Sequence, residues 1–273
     1  MVSTTKRVIC VFFLIFCASL TNAAKSQEMP RIVGGPGAGC IAGAVELPPE
    51  GPGYVTIRQT RSSFWGHPAT IAALELLARE AQVAGFGKLY MNDVSLPRGG
   101  PMAGLHASHM LGLDADVWLD IAPKPPLTPA QRNAVEVQSL VTSDGRSVEP
   151  GLWRPQIGRL IRLATQLPNV DRVLVNPAIK RQLCLEAGAD RAWLHAVRPW
   201  YGHTAHMHIH FRCPPGQSEC HDQSPAPPGD GCDASLDWWF AQLDRPAAPT
   251  GPTPPPRPPK LPAACAAILA GGR

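Results

Sequence analysis

The chain has 273 residues, 44% of them apolar, and a formal net charge of +4. This length and apolar share are enough for one domain with a packed core and additional terminal segments. The nearly balanced charge argues against a nucleic-acid-binding protein, because such proteins concentrate Lys and Arg on one surface. Function must therefore be sought in particular motifs.

Residues 1–23 have the pattern of a secretory signal peptide. Lys6 and Arg7 form a basic start, an apolar stretch runs from Val8 to Leu20, and small residues precede a cleavage site after Ala23. The apolar stretch is too short for a comfortable membrane span. We predict an exported chain with no stable membrane insertion after cleavage, and an uncleaved anchor is the alternative.

Six cysteines remain after the predicted cleavage. An even number in an exported chain predicts three disulfides, although six cysteines allow 15 pairings. A zinc site made of cysteines is the alternative, but the spacings are irregular and no Cys-x-x-Cys motif occurs. The six are Cys40, Cys184, Cys213, Cys220, Cys232 and Cys265.

The first third of the mature chain alternates between irregular segments and short elements. Residues 24–53 are rich in Gly and Pro and show little periodicity, so we expect an extended arm held at Cys40. Residues 54–59 alternate weakly, as in a strand. Apolar residues at helical spacing predict a helix from Pro68 to about Gly85. Residues 88–96 then read as a strand.

The stretch Leu105–Leu119 contains several side chains that can bind a metal or take part in catalysis. His106 and His109 lie just before a turn at Gly112. Asp114 and Asp116 then alternate with apolar residues, which is the pattern of a strand with carboxylates on one face.

Three helices and a strand are predicted in the next part of the chain. Thr128 and Pro129 are favourable residues for the start of a helix that we extend to about Val141. A second helix follows Pro155, a core strand spans 170–175, and a short helix starts at Pro177.

A histidine-rich strand follows, in which His206, His208 and His210 alternate with apolar residues. Successive strand side chains point to opposite faces, so the three imidazoles share one face. This pattern indicates a metal site or an acid–base centre. The alternative is a solvated polar face.

The C-terminal part contains one more predicted helix, over residues 234–243. Residues 246–262 are rich in Pro, and we predict no packed structure for them. Cys265 implies that this tail is tethered to the body. We therefore divide the chain into a signal peptide (1–23), one domain (24–245) and a proline-rich tail (246–273).

Together these elements predict an α+β single domain with a central, mainly antiparallel sheet that carries the site, flanked by helices. A catalytic zinc ion takes three protein ligands and leaves the fourth position to water. Two neighbouring strands could supply His, Asp and His for such a site. The strand pattern alone does not choose between Asp114 and Asp116.

The spacings His109-x6-Asp116 and His206-x-His208 resemble a zinc peptidase group that includes lysostaphin-type, D-alanyl-D-alanine and hedgehog-like domains. The nearest resemblance is to the penicillin-insensitive murein endopeptidases, over roughly residues 34–243. The matching blocks are Arg58 to His67, Ser95-Leu-Pro-Arg-Gly-Gly100, Gly112-Leu-Asp-Ala-Asp-Val-Trp118, His206-Met-His208, Arg212-Cys-Pro214 and Pro228-Gly-Asp-Gly-Cys232.

The resemblance implies that His109, Asp116 and His208 bind zinc. His206 would be the catalytic base or transition-state stabiliser, with His203 nearby. The family spacing favours Asp116 as the ligand and leaves Asp114 as a hydrogen-bond acceptor beside it. His210 differs from the usual family residue and is interpreted as a bystander.

Enzymes of this type can hold a second metal. His106 and Asp144 match that pattern, but Ser147 stands where a histidine is expected. A hydroxyl is a poor zinc ligand, so a second site is expected to be weakened or lost.

The resemblance further implies the disulfides Cys40–Cys265, Cys184–Cys232 and Cys213–Cys220. It implies a periplasmic zinc endopeptidase that hydrolyses D-alanyl–meso-diaminopimelyl cross-links between peptidoglycan stem peptides. One alternative is a D-Ala-D-Ala carboxypeptidase or dipeptidase. Another is a non-catalytic zinc-containing module that binds the cell wall. The sequence is compatible with a monomer and with a homo-oligomer.

Overall fold

The computed structural model describes residues 1, 29–102, 106–245 and 258–271. Apart from Met1, the predicted signal peptide lies outside these residues, and so do residues 246–257 of the proline-rich tail. No helix in the described ranges is long and apolar enough to span a membrane.

The described residues form eleven short strands, in one seven-stranded mixed sheet and two two-stranded sheets. The strands are β1 (Arg31–Gly35), β2 (Ala38–Ala42), β3 (Val45–Glu46), β4 (Glu50–Gly51), β5 (Tyr54–Thr56), β6 (Trp65–Gly66), β7 (Leu89–Met91), β8 (Asp114–Trp118), β9 (Val170–Val175), β10 (Val197–Pro199) and β11 (His206–Phe211). The large sheet has the order β10-β9-β11-β8-β7-β5-β4, in which only β10/β9 and β7/β5 are parallel pairs. The predicted α+β fold with a mainly antiparallel sheet is therefore confirmed.

Six α-helices lie within the described ranges, and the first four of them begin with proline. Asn176 caps one of these helices by accepting a hydrogen bond from the backbone N–H of Ala178. A proline in the first turn loses no helical hydrogen bond, which makes these starts readable from sequence. The helices are α1 (Pro68–Val83), α2 (Pro129–Asn133), α3 (Pro155–Thr165), α4 (Pro177–Glu186), α5 (Ala234–Ala241) and α6 (Ala264–Ala270).

The core lies on one face of the central strands. Apolar residues of β8, β9 and β11 point to that face and pack with buried residues of α1 and α3. The polar residues between them point to the other face, as the period-two pattern predicts. The buried residues of β8 and β11 on the core side are Ala115, Val117, Met207, Ile209 and Phe211.

Two predicted elements are shorter than expected. The helix that starts at Pro129 ends at Asn133 instead of Val141, and Val135 and Val137 pack on a small apolar cluster from irregular backbone. The strand predicted over 88–96 is regular only from Leu89 to Met91. Beyond it, Asn92 and Asp93 still exchange backbone hydrogen bonds with Asp116, but in irregular backbone.

The N-terminal arm is more ordered than predicted, and the tail beyond residue 262 forms a helix for which no prediction was made. Residues 31–42 form a β1–β2 hairpin instead of an extended arm, and Ile32 and Ile41 are fully buried. In the tail, α6 packs on this hairpin through Cys265 and Ile268. The hairpin packs Ile32 and Ile41 on the main core and turns Val33, Cys40 and Ala42 toward α6, so its burial depends on contacts with distant segments.

The described residues contain three disulfides, two of which connect segments far apart in the sequence. They are Cys40–Cys265, Cys184–Cys232 and Cys213–Cys220, with sequence separations of 225, 48 and 7 residues. These are the pairs that the family resemblance implies.

Candidate metal centre

The histidines and aspartates meet because β8 and β11 are antiparallel neighbours. In their register His208 lies opposite Asp116, and His210 lies opposite Asp114. Side chains of directly opposite residues point to the same face of a sheet. The two strands therefore concentrate imidazoles and carboxylates on the face turned away from the core.

Three atoms of this cluster have the spacing of zinc ligands. Nε2 of His109 is 3.1 Å from Nδ1 of His208, which is 3.2 Å from Oδ1 of Asp116. The His109 nitrogen and the Asp116 oxygen are 3.4 Å apart. Tetrahedral ligands at zinc bond lengths are about 3.3 to 3.4 Å from one another. The three side chains fit a zinc ion.

Hydrogen bonds orient both imidazoles toward this triangle. Nδ1–H of His109 donates to the carbonyl of Val94 over 2.8 Å, which leaves Nε2 free as a ligand. Nε2–H of His208 donates to Asp114 over 3.0 Å, which leaves Nδ1 of that ring free as a ligand. Such partners fix the tautomer of a metal-binding histidine.

The charges of the cluster stabilise one another. Burial disfavours the ionised form of Asp116, but His109, His208 and His206 outweigh it and hold the pKa of Asp116 well below its usual value. Burial would likewise lower the pKa of His208, but hydrogen bonds to Asp114 and Asp116 raise that pKa to about 10. A carboxylate kept ionised is suited to bind a cation.

A tight turn between His109 and Asp114 places His109 beside β8, close to the N-terminal end of the strand. His109 has φ 66°, a left-handed conformation that is uncommon for a side-chain-bearing residue. Gly112 also has positive φ, and a Cβ there would lie 2.8 Å from Cα of Gly66. Only glycine therefore fits this contact, and the turn seats His109 against the strand.

His206 and His203 lie beside the triangle. Nε2 of His206 is 3.8 Å from Oδ1 of Asp116, and the side chain is 28% exposed. The His203 and His206 ring centres are 5.0 Å apart. Burial lowers the pKa of His206, and burial with the neighbouring charges of His206 and His208 lowers that of His203 to about 4. Both rings are therefore neutral near pH 7.

Asp93 is a buried carboxylate that the sequence analysis missed. It accepts hydrogen bonds from Nε2 of His106 over 2.7 Å, from Arg61 over 2.6 Å and from the hydroxyl of Ser63. His106 in turn lies 3.8 Å from the second oxygen of Asp116. The adjacent polar pair Asn92-Asp93 within an apolar run was the available signal.

His210 is not a bystander, contrary to our expectation. It is almost fully buried, and its Nδ1 lies 2.7 Å from Oδ1 of Asp114. Asp114 also accepts the backbone N–H of His109 over 3.2 Å. His210 therefore supports the carboxylate that contacts both His109 and His208.

The ligand atoms of six side chains form two groups, each within 4.8 Å. One contains His106, His109 and Asp116, and the other contains Asp114, His208 and His210. The triangle of His109, Asp116 and His208 combines the two groups. The remaining three side chains hydrogen-bond around it, so they are better placed to support ligands than to bind metal.

Asp144 belongs to neither group. Its carboxylate accepts hydrogen bonds from the Thr142 hydroxyl over 2.6 Å and from the backbone N–H of Arg146 over 2.9 Å, in an exposed turn. Ser147 closes the same turn, where its backbone N–H donates to the Thr142 hydroxyl. Among the described residues, only His106 of the predicted second-metal pair lies in the cluster.

A cavity of about 690 Å³ opens beside the triangle. Its lining includes three histidines, two arginines and two tryptophans: His106, His203, His208, Arg172, Arg198, Trp200 and Trp239. Peptide-sized ligands can therefore reach the candidate metal centre.

Comparison with known proteins identifies the family. The family model for penicillin-insensitive murein endopeptidase matches residues 32–270. A protein of that name from Klebsiella pneumoniae is 44% identical over 240 residues, which are 85% of this chain and 87% of the relative. Namesakes from Yersinia enterocolitica and Citrobacter koseri are each 46% identical, over 80% and 76% of this chain and 79% and 76% of theirs. The chain belongs to the penicillin-insensitive murein endopeptidase family.

Proposed function

We propose that this protein is a zinc-dependent endopeptidase that hydrolyses D-alanyl–meso-diaminopimelyl cross-links of peptidoglycan in the periplasm. Relatives named murein endopeptidase support the substrate class. The observation that carries the metal dependence is the triangle of His109, Asp116 and His208, with pairwise distances of 3.1 to 3.4 Å.

His109, Asp116 and His208 are the proposed ligands. Two imidazole nitrogens and one carboxylate oxygen form a donor set typical of catalytic zinc sites with an open position. A bound zinc ion would polarise the scissile carbonyl and make a water molecule acidic enough to lose its proton near neutral pH.

His206 is the proposed catalytic residue, with His203 as its neighbour. It is partly exposed beside the triangle, so its ring can reach a bound substrate. Because burial lowers its pKa, the neutral ring can accept a proton and pass it to the leaving amine, or donate a hydrogen bond to the tetrahedral intermediate. Nδ1–H of His203 donates to the carbonyl of Tyr201 over 3.0 Å, which keeps that ring in place.

The test compares zinc content and cleavage in one pair of variants. His208→Ala removes one ligand and should abolish both stoichiometric zinc and cleavage of cross-linked muropeptide dimers. The matched control His221→Ala changes an exposed histidine outside the cluster and should keep both. Zinc by elemental analysis and products by chromatography are the measurements. Full activity of His208→Ala would refute the assignment.

The same assay separates the alternatives. A carboxypeptidase would release D-alanine from uncross-linked pentapeptides and leave dimers intact. A non-catalytic module would bind zinc and cleave neither substrate. A chelator should stop dimer cleavage, and added zinc should restore it.

A further inference from the structure

The strand register extends from the candidate metal centre to two arginines. His208 of β11 lies opposite Leu174 of β9, which lies opposite Arg198 of β10. His210 lies opposite Arg172. Directly paired residues share a face, so both arginines rise from the face that carries the histidines. Two strand spacings separate Arg198 from His208, which is about 10 Å between backbones.

Both guanidinium groups are held in place by neighbouring groups. Arg172 pairs with Asp171 over 2.5 Å and donates to the carbonyl of Ser224 over 2.7 Å. Nη2 of Arg198 donates to the carbonyl of Pro227 and lies 3.2 Å from Nδ1 of His195. Ligand binding therefore requires little ordering of these side chains.

Arg198 forms no direct ion pair among the described residues, although the charges of Asp233 and Asp230 act on it from a greater distance. Its Nε is buried without a hydrogen bond, and no carboxylate in the described ranges forms an ion pair with it. Burial, followed by the charge of Arg172, lowers its pKa. Two cations that face one cavity, one of them with a buried free donor, favour an anion there.

We propose that Arg172 and Arg198 form a carboxylate subsite that binds the α-carboxylate of the residue on the leaving side of the scissile bond. This rests on the proposed function, because the leaving amine of a D-alanyl–diaminopimelyl cross-link is attached to a carbon that carries such a group. The planar fork of an arginine matches a carboxylate in geometry. The cavity joins these arginines to His203 and His208, so a leaving residue can bridge them.

The test uses two cross-linked muropeptide dimers that differ only in this group, one with the free carboxylate and one with a primary carboxamide. The zinc-loaded full chain should cleave the acid with a kcat/KM at least about tenfold higher, as expected for a charge-assisted hydrogen-bonded pair. Arg198→Gln should reduce this ratio toward one, and Arg172→Gln should lower it as a second variant. Arg212→Gln is the matched control, since Arg212 contacts the same Asp171 over 3.3 Å but is 61% exposed.

The outcomes separate this subsite from the proposed function. Equal cleavage of acid and amide by the unmodified chain would overturn the subsite and leave the endopeptidase function standing. A variant that slows both substrates equally and keeps the preference would show that the arginine is only structural. Cleavage of neither dimer by the zinc-loaded chain would overturn the proposed function, and the subsite with it.

Discussion

At the scale of single residues, Asp114 connects most of the candidate centre. One oxygen lies 3.0 Å from Nε2 of His208 and 2.7 Å from Nδ1 of His210, and the other accepts the backbone N–H of His109. One carboxylate therefore positions two of the three proposed ligands. The strand pattern limited the choice of carboxylate ligand to Asp114 and Asp116. In the structure Asp116 lies in the triangle of proposed ligands, whereas Asp114 supports its two histidines.

Replacement of Asp114 by asparagine should weaken zinc binding. The amide keeps a similar size but lacks the charge that holds His208, so we expect the zinc Kd to rise by about 10- to 100-fold. Competition with a chromophoric chelator measures this. Asp237→Asn, which changes an exposed carboxylate on α5, should leave the Kd unchanged. An unaltered Kd in the Asp114 variant would contradict the positioning role.

At the scale of elements, β11 is anchored at its C-terminal end. The Cys213–Cys220 bridge closes a small loop two residues after Phe211, and the loop pairs with β1 through Gly34, whose N–H donates to the carbonyl of Glu219 over 2.9 Å. The strand that carries His206 and His208 thus ends in a cross-linked loop.

Two disulfide variants should separate stability from zinc affinity. Loss of Cys213–Cys220 by double substitution to serine should cost about 2 kcal/mol of unfolding free energy, because the loop is short, but should lower zinc affinity through His208. Loss of Cys184–Cys232 should cost about 4 kcal/mol and leave zinc affinity nearly unchanged. Urea unfolding and chelator competition measure the two quantities. Equal zinc Kd values in the two disulfide variants would contradict the proposal that the Cys213–Cys220 loop supports β11.

The elements that sequence predicts well are those with local signals. Helices α1, α3 and α4 each start at a proline, and α1 and α4 also have a capping side chain, so their positions follow from a few neighbouring residues. Helix α2 also has a capping box, but it stops early because Val135 and Val137 pack on the sheet. Tertiary contacts override local preference there.

At the scale of the whole molecule, strand order decides which side chains meet. His109, Asp116 and His208 carry a family spacing, so a sequence match brings them together before the structure does. Arg198 has no such signal, because its distance from His208 depends on β9 lying between β10 and β11. The same holds for Asp93, which reaches His106 only through irregular backbone after β7.

The bridge between Cys40 and Cys265 should contribute strongly to global stability. It encloses most of the chain, and the loop-entropy model gives roughly 5 kcal/mol. The double variant Cys40→Ala with Cys265→Ala should have an unfolding free energy that is smaller by up to this amount. Urea titrations at saturating zinc measure the difference. A change below about 1 kcal/mol would show that packing of α6 alone holds the tail.

The same bridge constrains the order of assembly. Residue 265 is synthesised 225 residues after Cys40. The hairpin that contains Cys40 supports the segment around His109 through two hydrogen bonds in series. The N–H of Ile41 donates to the carbonyl of Arg98, and the N–H of Gly100 donates to the carbonyl of Met110. The hairpin that contains Cys40 can therefore form its disulfide only after residue 265 has been synthesised. Until then the segment that carries His109 packs on a hairpin without its disulfide, so the complete candidate metal centre is expected to form late in assembly.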